Sequence, residues 1–334
     1  MSDLATKGAT GPAADDGTVL GLERYRVELT GYCYRMLGSG FEAEDAVQEA
    51  MVRAWRGIDR FEGRAALRSW LYRIATNVCL DMLGSSQRRA RPMDLGPASD
   101  ASAPVVGPPL PETAWIDPIP DGRVLPERSD PAELAVARET VRLAFVAALQ
   151  HLPARQRAVL ILREVLAWSA AEVAELLETT VASVNSALQR ARATLAASEV
   201  TATDALEPLD TEQVELLSRY VSAFEAYDLG ALTALLHEDA TLSMPPLDLW
   251  FRGHADIRTW MLGIGCGCRG SRLVAVVANG APAFGQYRAD PTGGHAPWAL
   301  IVLEIAGGKI IGVNSFLDTE RLFPMFGLAP HLDA

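Results

Sequence analysis

The sequence predicts a multidomain protein in which two all-α domains precede one α+β domain. Three observations support this architecture. Apolar residues recur at helical spacing in the first two thirds of the chain, and a proline-rich stretch interrupts that pattern. Short runs rich in β-branched and aromatic residues, separated by Gly and Asn/Asp turns, fill the last third. Helices followed by a series of strands are typical of α+β folds.

Length and composition exclude several classes of protein. At 334 residues the chain is long enough for two or three domains, and 49% hydrophobic residues suffice for real cores. It has no apolar run long enough to cross a bilayer, and its start lacks the segments of a signal peptide. Four cysteines do not make a disulfide framework. We therefore expect a cytoplasmic protein without a membrane partner, and a disordered tail over residues 1–19.

The net charge of −12 is distributed unevenly along the chain. Residues 200–334 carry eight Lys and Arg against sixteen Asp and Glu. Residues 60–91, in contrast, carry seven arginines against only Glu62 and Asp81. This basic segment can attract phosphate groups although the chain as a whole is acidic.

Proline content divides the chain into domains. Residues 92–131 hold ten of the twenty prolines. We expect a linker over 93–131 that forms neither regular helices nor a core. Within it, the segment Trp115–Pro120 is either a docking motif or an idle stretch of linker. The expected domains around the linker are two helical ones over 20–92 and 132–199 and an α+β one over 208–330.

The second helical domain contains the most informative motif, over residues 169–194. Ser169 and Glu172 form a capping box for one short helix, and Thr180 is a natural N-cap for the next. A tight turn joins the two helices, and the second carries small polar residues on one face and arginines near its end. This is the pattern of a helix-turn-helix that enters the major groove of DNA.

In the first helical domain, basic and aromatic residues interleave over residues 59–77. Arginines can hold phosphates, and aromatic rings can stack on an unpaired base. Trp70 and Ile74 also fit a hydrophobic core at this spacing. An acidic helix face over residues 42–49 precedes the segment, and by itself it is more typical of a solvated surface than of a binding site.

Together these segments resemble the extracytoplasmic-function (ECF) sigma factors of the sigma-70 family. The resemblance to their region 2 covers residues 22–91, and that to their region 4 covers residues 134–197. In region 4, Leu152–Arg157 precedes the helix-turn-helix at the family's distance. The matching positions in region 2 are Glu44–Glu49, Phe61, Gly63, Trp70, Leu71, Ala75, Asn77 and Asp81.

The resemblance implies a role for three surfaces. The acidic helix would dock core RNA polymerase through Glu44, Asp45, Gln48 and Glu49. The basic and aromatic segment would open the promoter −10 element and contact it through Phe61, Arg64, Arg68, Trp70, Arg73, Asn77, Arg88 and Arg89. The second helix of the helix-turn-helix would read the −35 element through Ser183, Asn185, Ser186, Gln189, Arg190 and Arg192.

The helix-turn-helix departs from the family in two respects. Members often have Gly in the turn, where Glu178 stands, and a basic residue near Asn185 or Ala187 in the −35 helix. The helix is therefore less basic than usual, which predicts modest affinity for DNA in the absence of polymerase.

The C-terminal third resembles the SnoaL-like, NTF2-like α+β cone, on residues 220–240 and on Phe251–His254 with the helix after them. This fold serves both enzymes and binding modules. A His–Asp pair can act as a general base, whereas a helix cap or a turn position is the structural alternative for the histidines. The candidates for the cone mouth are His237, Asp239, Trp250, His254, Trp298 and Asn314.

Cys266-Gly267-Cys268 suggests metal or redox chemistry, with a flexible glycine-rich loop as the alternative. Two cysteines without a second pair or nearby histidines make a poor zinc site. The sequence therefore predicts no metal and no cofactor.

The main hypothesis is a transcription initiation factor, not an enzyme, whose partners are core RNA polymerase and promoter DNA. The resemblance implies that the C-terminal domain regulates the factor in cis. It would pack on the DNA- or polymerase-binding faces, or bind a small-molecule ligand. Two alternatives stay open: a DNA-binding module fused to a small-molecule-binding or catalytic domain, and a transcription factor that binds DNA without polymerase.

Overall fold

The computed structural model describes residues 21–61, 66–84, 89–126, 130–197, 203 and 210–333. The expected tail over residues 1–19 lies outside these ranges. Within them, the predicted order of two helical domains and one α+β domain is confirmed. Among the helices described, none combines the length and the apolar composition that a membrane crossing requires.

The first domain is a bundle of three long helices. These are α1 (Arg26–Leu37), α2 (Gly40–Gly57) and α3 (Leu67–Leu83). Gly38, at a φ of +75°, ends α1 in the left-handed conformation that glycine adopts without strain. The Ser39 hydroxyl then accepts a hydrogen bond from the Glu42 amide and caps α2. These two residues turn the chain so that α1 and α2 pack side by side.

The segment after this bundle is not the structureless linker that its prolines predict. It contains two short helices, α4 (Pro92–Leu95) and α5 (Asp121–Val124). Trp115, Ile116 and Ile119 are each at most 2% exposed. Prolines prevent long helices but not burial, and these apolar side chains gain free energy by packing on the domains around them. The prediction of a segment without helices or core is wrong, and Trp115–Pro120 docks within the molecule.

In the described residues, the second domain contains five α-helices and a π-helical turn, Ile161–Val165. The α-helices are α6 (Pro131–Val141), α7 (Leu143–Gln150), α8 (Ala154–Leu160), α9 (Ala170–Leu176) and α10 (Val181–Ala196). The capping box of Ser169 with Glu172 and the Thr180 cap both form as predicted. Glu178 takes a left-handed φ of +51° in the turn between α9 and α10. It adopts there the conformation for which glycine is the usual residue.

The two helical domains share one hydrophobic core rather than lying apart. Buried arginines cross their boundary. The Arg35 guanidinium of α1 donates to the Thr140 hydroxyl of α6 at 2.9 Å. Arg157 of α8 donates to the Met36 carbonyl of α1 and to the Gln150 side chain. Both arginines are 4% exposed, so these contacts are shielded from water.

The C-terminal domain is a six-stranded sheet with helices. Its elements are α11 (Thr211–Glu225), α12 (Leu229–Leu235), β1 (Leu236–Ser243), β2 (Trp250–Arg252), α13 (His254–Leu262), β3 (Arg272–Ala278), β4 (Ala281–Ala289), β5 (His295–Ala306), β6 (Lys309–Phe316) and α14 (Thr319–Met325). The strand order is β2-β1-β6-β5-β4-β3. Only the β1–β6 pair is parallel among the described strands.

The two faces of this sheet have different partners. The inner face packs on α11, α12 and α13 and is filled by rings, including Phe251 against Trp260 and Tyr220 against Phe284. The outer face carries residues such as Leu300 and belongs to the same core as the two helical domains. The sheet is therefore the surface on which the rest of the chain is assembled.

Candidate functional site

The acidic face predicted to bind polymerase lies on α2. Asp45, Gln48 and Glu49 are exposed, and Glu49 accepts a hydrogen bond from Arg53 at 2.7 Å. Glu44 is half-buried, because Arg123 of α5 pairs with it at 2.8 Å. The folded linker therefore reaches the edge of this face. Most of the predicted set remains open to a partner.

The predicted −10 residues lie mainly on α3 and the turn before it. Phe61 stacks on Trp70 with ring centroids 5.0 Å apart, and both are half-buried. Asn77 is exposed. Arg64 and Arg88 lie outside the described residues.

The second domain covers part of α3. The Trp168 ring lies 5.1 Å from the Tyr72 ring and 5.8 Å from the Arg68 guanidinium. Arg68 also pairs with Glu28 at 2.9 Å. Arg73 approaches Glu175 of α9 at 3.9 Å. Two arginines predicted to contact the −10 element are thus held by protein groups in this arrangement.

Arg89 departs most from its predicted role. Its guanidinium is 6% exposed and pairs with Glu42 at 2.7 Å. It also donates to the carbonyls of Glu112 and Trp115, because the linker folds back over it. Arg89 is therefore not available to DNA here. It joins α2 to the linker instead.

Asp117 completes this buried ionic group. Its carboxylate accepts a hydrogen bond from the Ser39 hydroxyl at 2.7 Å and lies 3.7 Å from Arg89. Burial raises the pKa of Asp117 to about 6, against the lowering effects of Ser39, Arg89 and Arg321. The end of α1, the start of α2 and the linker are therefore coupled through one carboxyl group.

The predicted −35 residues lie on α10. Ser183, Asn185, Gln189, Arg190 and Arg192 are exposed, and Ser186 is half-buried. Arg190 donates to the Ser186 hydroxyl, and Arg192 pairs with Glu164 at 2.6 Å. The opposite face, formed by Val184, Leu188 and Ala191, is buried. The helix thus presents a polar face to solvent, as a reading helix requires.

The turn between β3 and β4 joins all parts of the chain, which sequence reasoning did not find. The Asn279 side chain donates to the Tyr34 hydroxyl of α1 at 2.6 Å and to the Val141 carbonyl of α6 at 2.7 Å. Its oxygen accepts from the Ile119 amide of the linker at 3.0 Å. Asn279 is fully buried. The sequence signal, Asn279-Gly280, indicated only a hairpin turn.

Gly280 fits this junction tightly. A Cβ atom there would lie 2.9 Å from the Arg138 carbonyl oxygen of α6, and the φ of +66° disfavours other residues. Its amide donates to the Asp121 carboxylate of α5 at 2.7 Å. The hairpin tip is therefore inserted between α1, the linker and α6.

The predicted residues of the cone mouth do not form one site. Asn314 lies opposite Val302 in the β5–β6 register, and its side-chain oxygen accepts a hydrogen bond from the Ser243 hydroxyl at 2.9 Å. The Trp250 indole donates to the Gly96 carbonyl of the linker at 3.0 Å. Asn314 and Trp250 therefore face the linker side of the sheet rather than the cone interior. They are placed there because the linker crosses the outer face of the sheet.

The other candidates are separated from one another. His254 bonds the Leu236 carbonyl at 3.1 Å, and Trp298 stacks on Arg288. His237 and Asp239 line an open cleft of about 790 Å³ beside Arg91. The Asp239 backbone amide donates to Nδ1 of the His237 ring at 3.2 Å. This hydrogen bond involves the Asp239 backbone, and it is not an ion pair between the two side chains. No grouping of three potential metal ligands occurs among the described residues.

Comparison with known families assigns the three parts of the chain. The Sigma-70 region 2 model matches residues 22–89, the Sigma-70 region 4 model matches residues 142–195, and the SnoaL-like domain model matches residues 217–313. The fold and these matches define a sigma-70 protein with an added SnoaL-like domain.

Whole-chain relatives carry the same description. The chain is 46% identical to the ECF RNA polymerase sigma factor SigG of Mycobacterium tuberculosis over 93% of its length and 83% of that protein. It is 30% identical to SigJ of the same organism, over 90% of this chain and 91% of SigJ. The SigJ crystal structure aligns with a TM-score of 0.59 at 22% identity, covering 93% of this chain and all of SigJ, which shows a shared fold. The chain belongs to the ECF RNA polymerase sigma factors.

Proposed function

We propose that the chain binds core RNA polymerase through α2 and directs it to promoters through α3 and α10. The exposed acidic face of Asp45, Gln48 and Glu49 supports the first contact, since a protein partner can reach it without rearrangement. The exposed polar face of α10 supports the second. SigG and SigJ are named as RNA polymerase sigma factors, which supports the same partners for this chain.

Retention of core polymerase on the immobilised protein tests the α2 contact. Asp45→Arg reverses a charge at the centre of the acidic face and is expected to abolish retention. Glu215→Arg reverses an exposed charge on α11, away from this face, and serves as the matched control. Equal retention by both variants would contradict the assignment, and it would favour a transcription factor that binds DNA alone.

The C-terminal domain restrains the factor by holding regions 2 and 4 together. The observation that carries this proposal is the Asn279-Gly280 turn, which bonds α1, the linker and α6 at once. In the described part of the chain no hydrogen bond or ion pair joins the C-terminal domain to α3. The covering of α3 comes from region 4, through Trp168 and Glu175. The acidic C-terminal domain thus acts as a clamp that holds regions 2 and 4 together. Among the described residues, it does not act as a mask over the basic segment of residues 60–91.

Run-off transcription with core polymerase tests the restraint. Deletion of residues 205–334 removes the clamp, and Gly280→Ala loosens it in the full chain by placing a methyl group against the Arg138 carbonyl. Both are expected to raise promoter-specific transcription. Gly308→Ala is the matched control, because its φ of +70° is similar and nothing lies within 4 Å of the added Cβ. Unchanged or lower transcription in both test proteins would rule out restraint.

A small anion is the best candidate for a ligand of the C-terminal domain. The cleft of about 790 Å³ lies between the linker and the sheet, and its lining includes three cations, Arg91, Arg252 and Lys309, against the two carboxyl groups of Asp239 and Glu304, besides His237. Its size is in the range of ligand pockets, and its cations favour carboxylate or phosphate groups. Isothermal titration with citrate and with inorganic phosphate tests this. Binding to neither, or equal binding after Arg252→Gln and Lys309→Gln, would contradict it.

Catalysis in the C-terminal domain has less support. The cone interior, where the fold would place a substrate, is filled by aromatic and aliphatic side chains. His237 and Asp239 lie in the outer cleft and form no side-chain pair. The domain therefore has the character of a binding and packing module.

A further inference from the structure

The Cys266-Gly267-Cys268 segment differs from the other cysteine-bearing parts of the chain. It lies in a 3₁₀ turn, Ile264–Cys268, between α13 and β3. Cys266 is exposed and Cys268 is half-buried, whereas Cys33 and Cys79 are completely buried in region 2. Small oxidants in solvent can therefore reach only the pair in the C-terminal domain without opening the protein.

A cation contacts one of these two thiols. The Arg288 guanidinium donates to the Cys268 sulfur at 3.2 Å. Arg288 is itself positioned by the Trp298 ring, whose centroid lies 3.2 Å from the guanidinium carbon. Gly267 lies against the same guanidinium, since a Cβ there would be 3.3 Å from an Arg288 nitrogen. Reactive cysteines occupy such electropositive, partly exposed surroundings.

The second thiol is close enough to react with the first. Two residues apart in a 3₁₀ turn, the Cα atoms of Cys266 and Cys268 are separated by about 5 Å. Disulfides need a Cα separation of roughly 4.4–6.8 Å. The side chains of such a pair point in different directions, so the turn must unwind for the bond to close. The intervening Gly267 gives the backbone that freedom.

We propose that Cys268 and Cys266 form a peroxide-oxidised thiol pair, a modification site in the C-terminal domain. The Cys268 thiol releases its proton, the thiolate sulfur attacks a hydroperoxide, and the O–O bond breaks to give Cys268 sulfenic acid and hydroxide (or alkoxide). The leaving oxygen takes up the released proton and becomes water (or an alcohol). The Cys266 sulfur then attacks the Cys268 sulfur. The S–S bond forms, the S–O bond breaks, and the released hydroxide takes up the Cys266 proton as water. Two electrons and two thiol protons pass from the pair to the peroxide.

The oxidised pair changes the local structure. Closing the bond unwinds the Ile264–Cys268 turn and withdraws the Cys268 sulfur from Arg288. The Tyr227 hydroxyl, which donates to the carbonyls of Met261 and Gly265, anchors the start of this turn. Oxidation therefore loosens the end of α13 and the contact between Arg288 and Trp298.

Peptide mass spectrometry of the full-length protein tests the site. Trypsin releases Thr259–Arg269, which contains both cysteines and no others. After brief treatment with hydrogen peroxide and alkylation of the native protein, this peptide is expected to lack two hydrogen atoms and to carry no alkyl group. Cys33 and Cys79 are expected to stay reduced. In Cys266→Ser, dimedone is expected to label Cys268 as the trapped sulfenic acid.

The role of Arg288 has its own readout. Arg288→Gln is expected to slow dimedone labelling of Cys268 in the Cys266→Ser protein roughly tenfold, equivalent to about 1.4 kcal/mol. Arg272→Gln, which removes an exposed arginine paired with Glu225, is the matched control and is expected to leave the rate unchanged. The synthetic peptide Thr259–Arg269, carrying Cys266→Ser, gives the rate without the protein. The proposal is overturned if no disulfide forms in the full-length protein. It is also overturned if Cys268 reacts at the peptide's rate in Cys266→Ser and in both its Arg288→Gln and Arg272→Gln variants.

Discussion

The two helices proposed to read promoter DNA, α3 and α10, differ in how available they are. On α10, the polar side chains predicted to read the −35 element face solvent, and their contacts are with residues of region 4. On α3, Arg68 and Arg73 are engaged by Glu28, Trp168 and Glu175. The predicted −35 surface on α10 is open. The predicted −10 surface on α3 is partly covered by region 4, the domain that contains α10.

This difference indicates where control is exerted. If α3 engages the −10 element as proposed, region 4 must first move away from it, whereas α10 already faces solvent. The contacts opposing that movement are concentrated at the boundary of regions 2 and 4, the linker and the Asn279-Gly280 turn. Control of the −10 step is therefore predicted to depend more on the buried junction than on the exposed charges of α3.

The largest effect is expected from Asn279→Gly. The substitution keeps the positive φ of this position accessible while removing three buried hydrogen bonds. At about 1 kcal/mol each, their loss should lower the free energy of opening the junction by about 3 kcal/mol. Native-state hydrogen exchange of the α5 amides measures this opening. Asn77→Ala, at an exposed position of α3, is the control and should leave the exchange of the α5 amides unchanged. Equal protection of these amides in both variants would mean that the Asn279 hydrogen bonds do not hold the junction closed.

A second effect comes from the raised pKa of Asp117, about 6 in the folded chain against 3.8 for the free side chain. The folded junction favours the protonated acid, so its stabilisation is complete below about pH 4 and is lost as the pH rises through about 6. The change amounts to at most about 3 kcal/mol. Hydrogen exchange of α5 between pH 5 and 7 should therefore show weaker protection at the higher pH.

Asp117→Asn provides the control for this pH dependence. The amide cannot titrate, so the variant should show a flat profile over the same range once intrinsic exchange rates are removed. Arg89, Arg321 and Asp318 also face this carboxyl group. A slope that persists in Asp117→Asn would assign the titration to another group.

The smallest effect is expected from Glu175→Gln, which removes the contact between Arg73 and region 4. The two groups are 3.9 Å apart, and Glu175 is 70% exposed, so water and salt screen the pair. Opening of the junction should change by less than about 0.5 kcal/mol, with little further change at high salt. If Glu175→Gln lowered the free energy of opening the junction as much as Asn279→Gly, the exposed ion pair, and not the buried turn, would keep α3 covered.

Much of the fold was predictable because its signals are local. The Ser169–Glu172 capping box and the Thr180 cap depend on residues three apart, and both form. The prolines of the linker were misleading for the opposite reason. Their local effect is to prevent long helices, whereas the burial of Trp115 and Ile119 depends on surfaces supplied by distant domains.

For the sites too, local patterns were predictable and contacts between distant elements were not. The faces of α2 and α10 follow from helical periodicity, and most of their predicted polar residues are exposed, while Glu44 and Ser186 are half-buried. The burial of Arg89, which the resemblance assigned to the −10 element, was not predictable because its partners Glu42 and Asp117 come from other elements. The role of Asn279 was equally hidden, since its partners Tyr34 and Val141 are more than a hundred residues away in the chain.

The most direct test of the clamp is the distance between α3 and α10 in solution. Spin labels at Asn77→Cys and Asn185→Cys, in a Cys266→Ser, Cys268→Ser background, report on exposed positions of α3 and α10. Pulsed electron resonance should give one narrow distance distribution for this parent and for Gly308→Ala, and a broader, longer one for Gly280→Ala. The same narrow distribution in all three proteins would contradict the claim that the C-terminal hairpin holds regions 2 and 4 together.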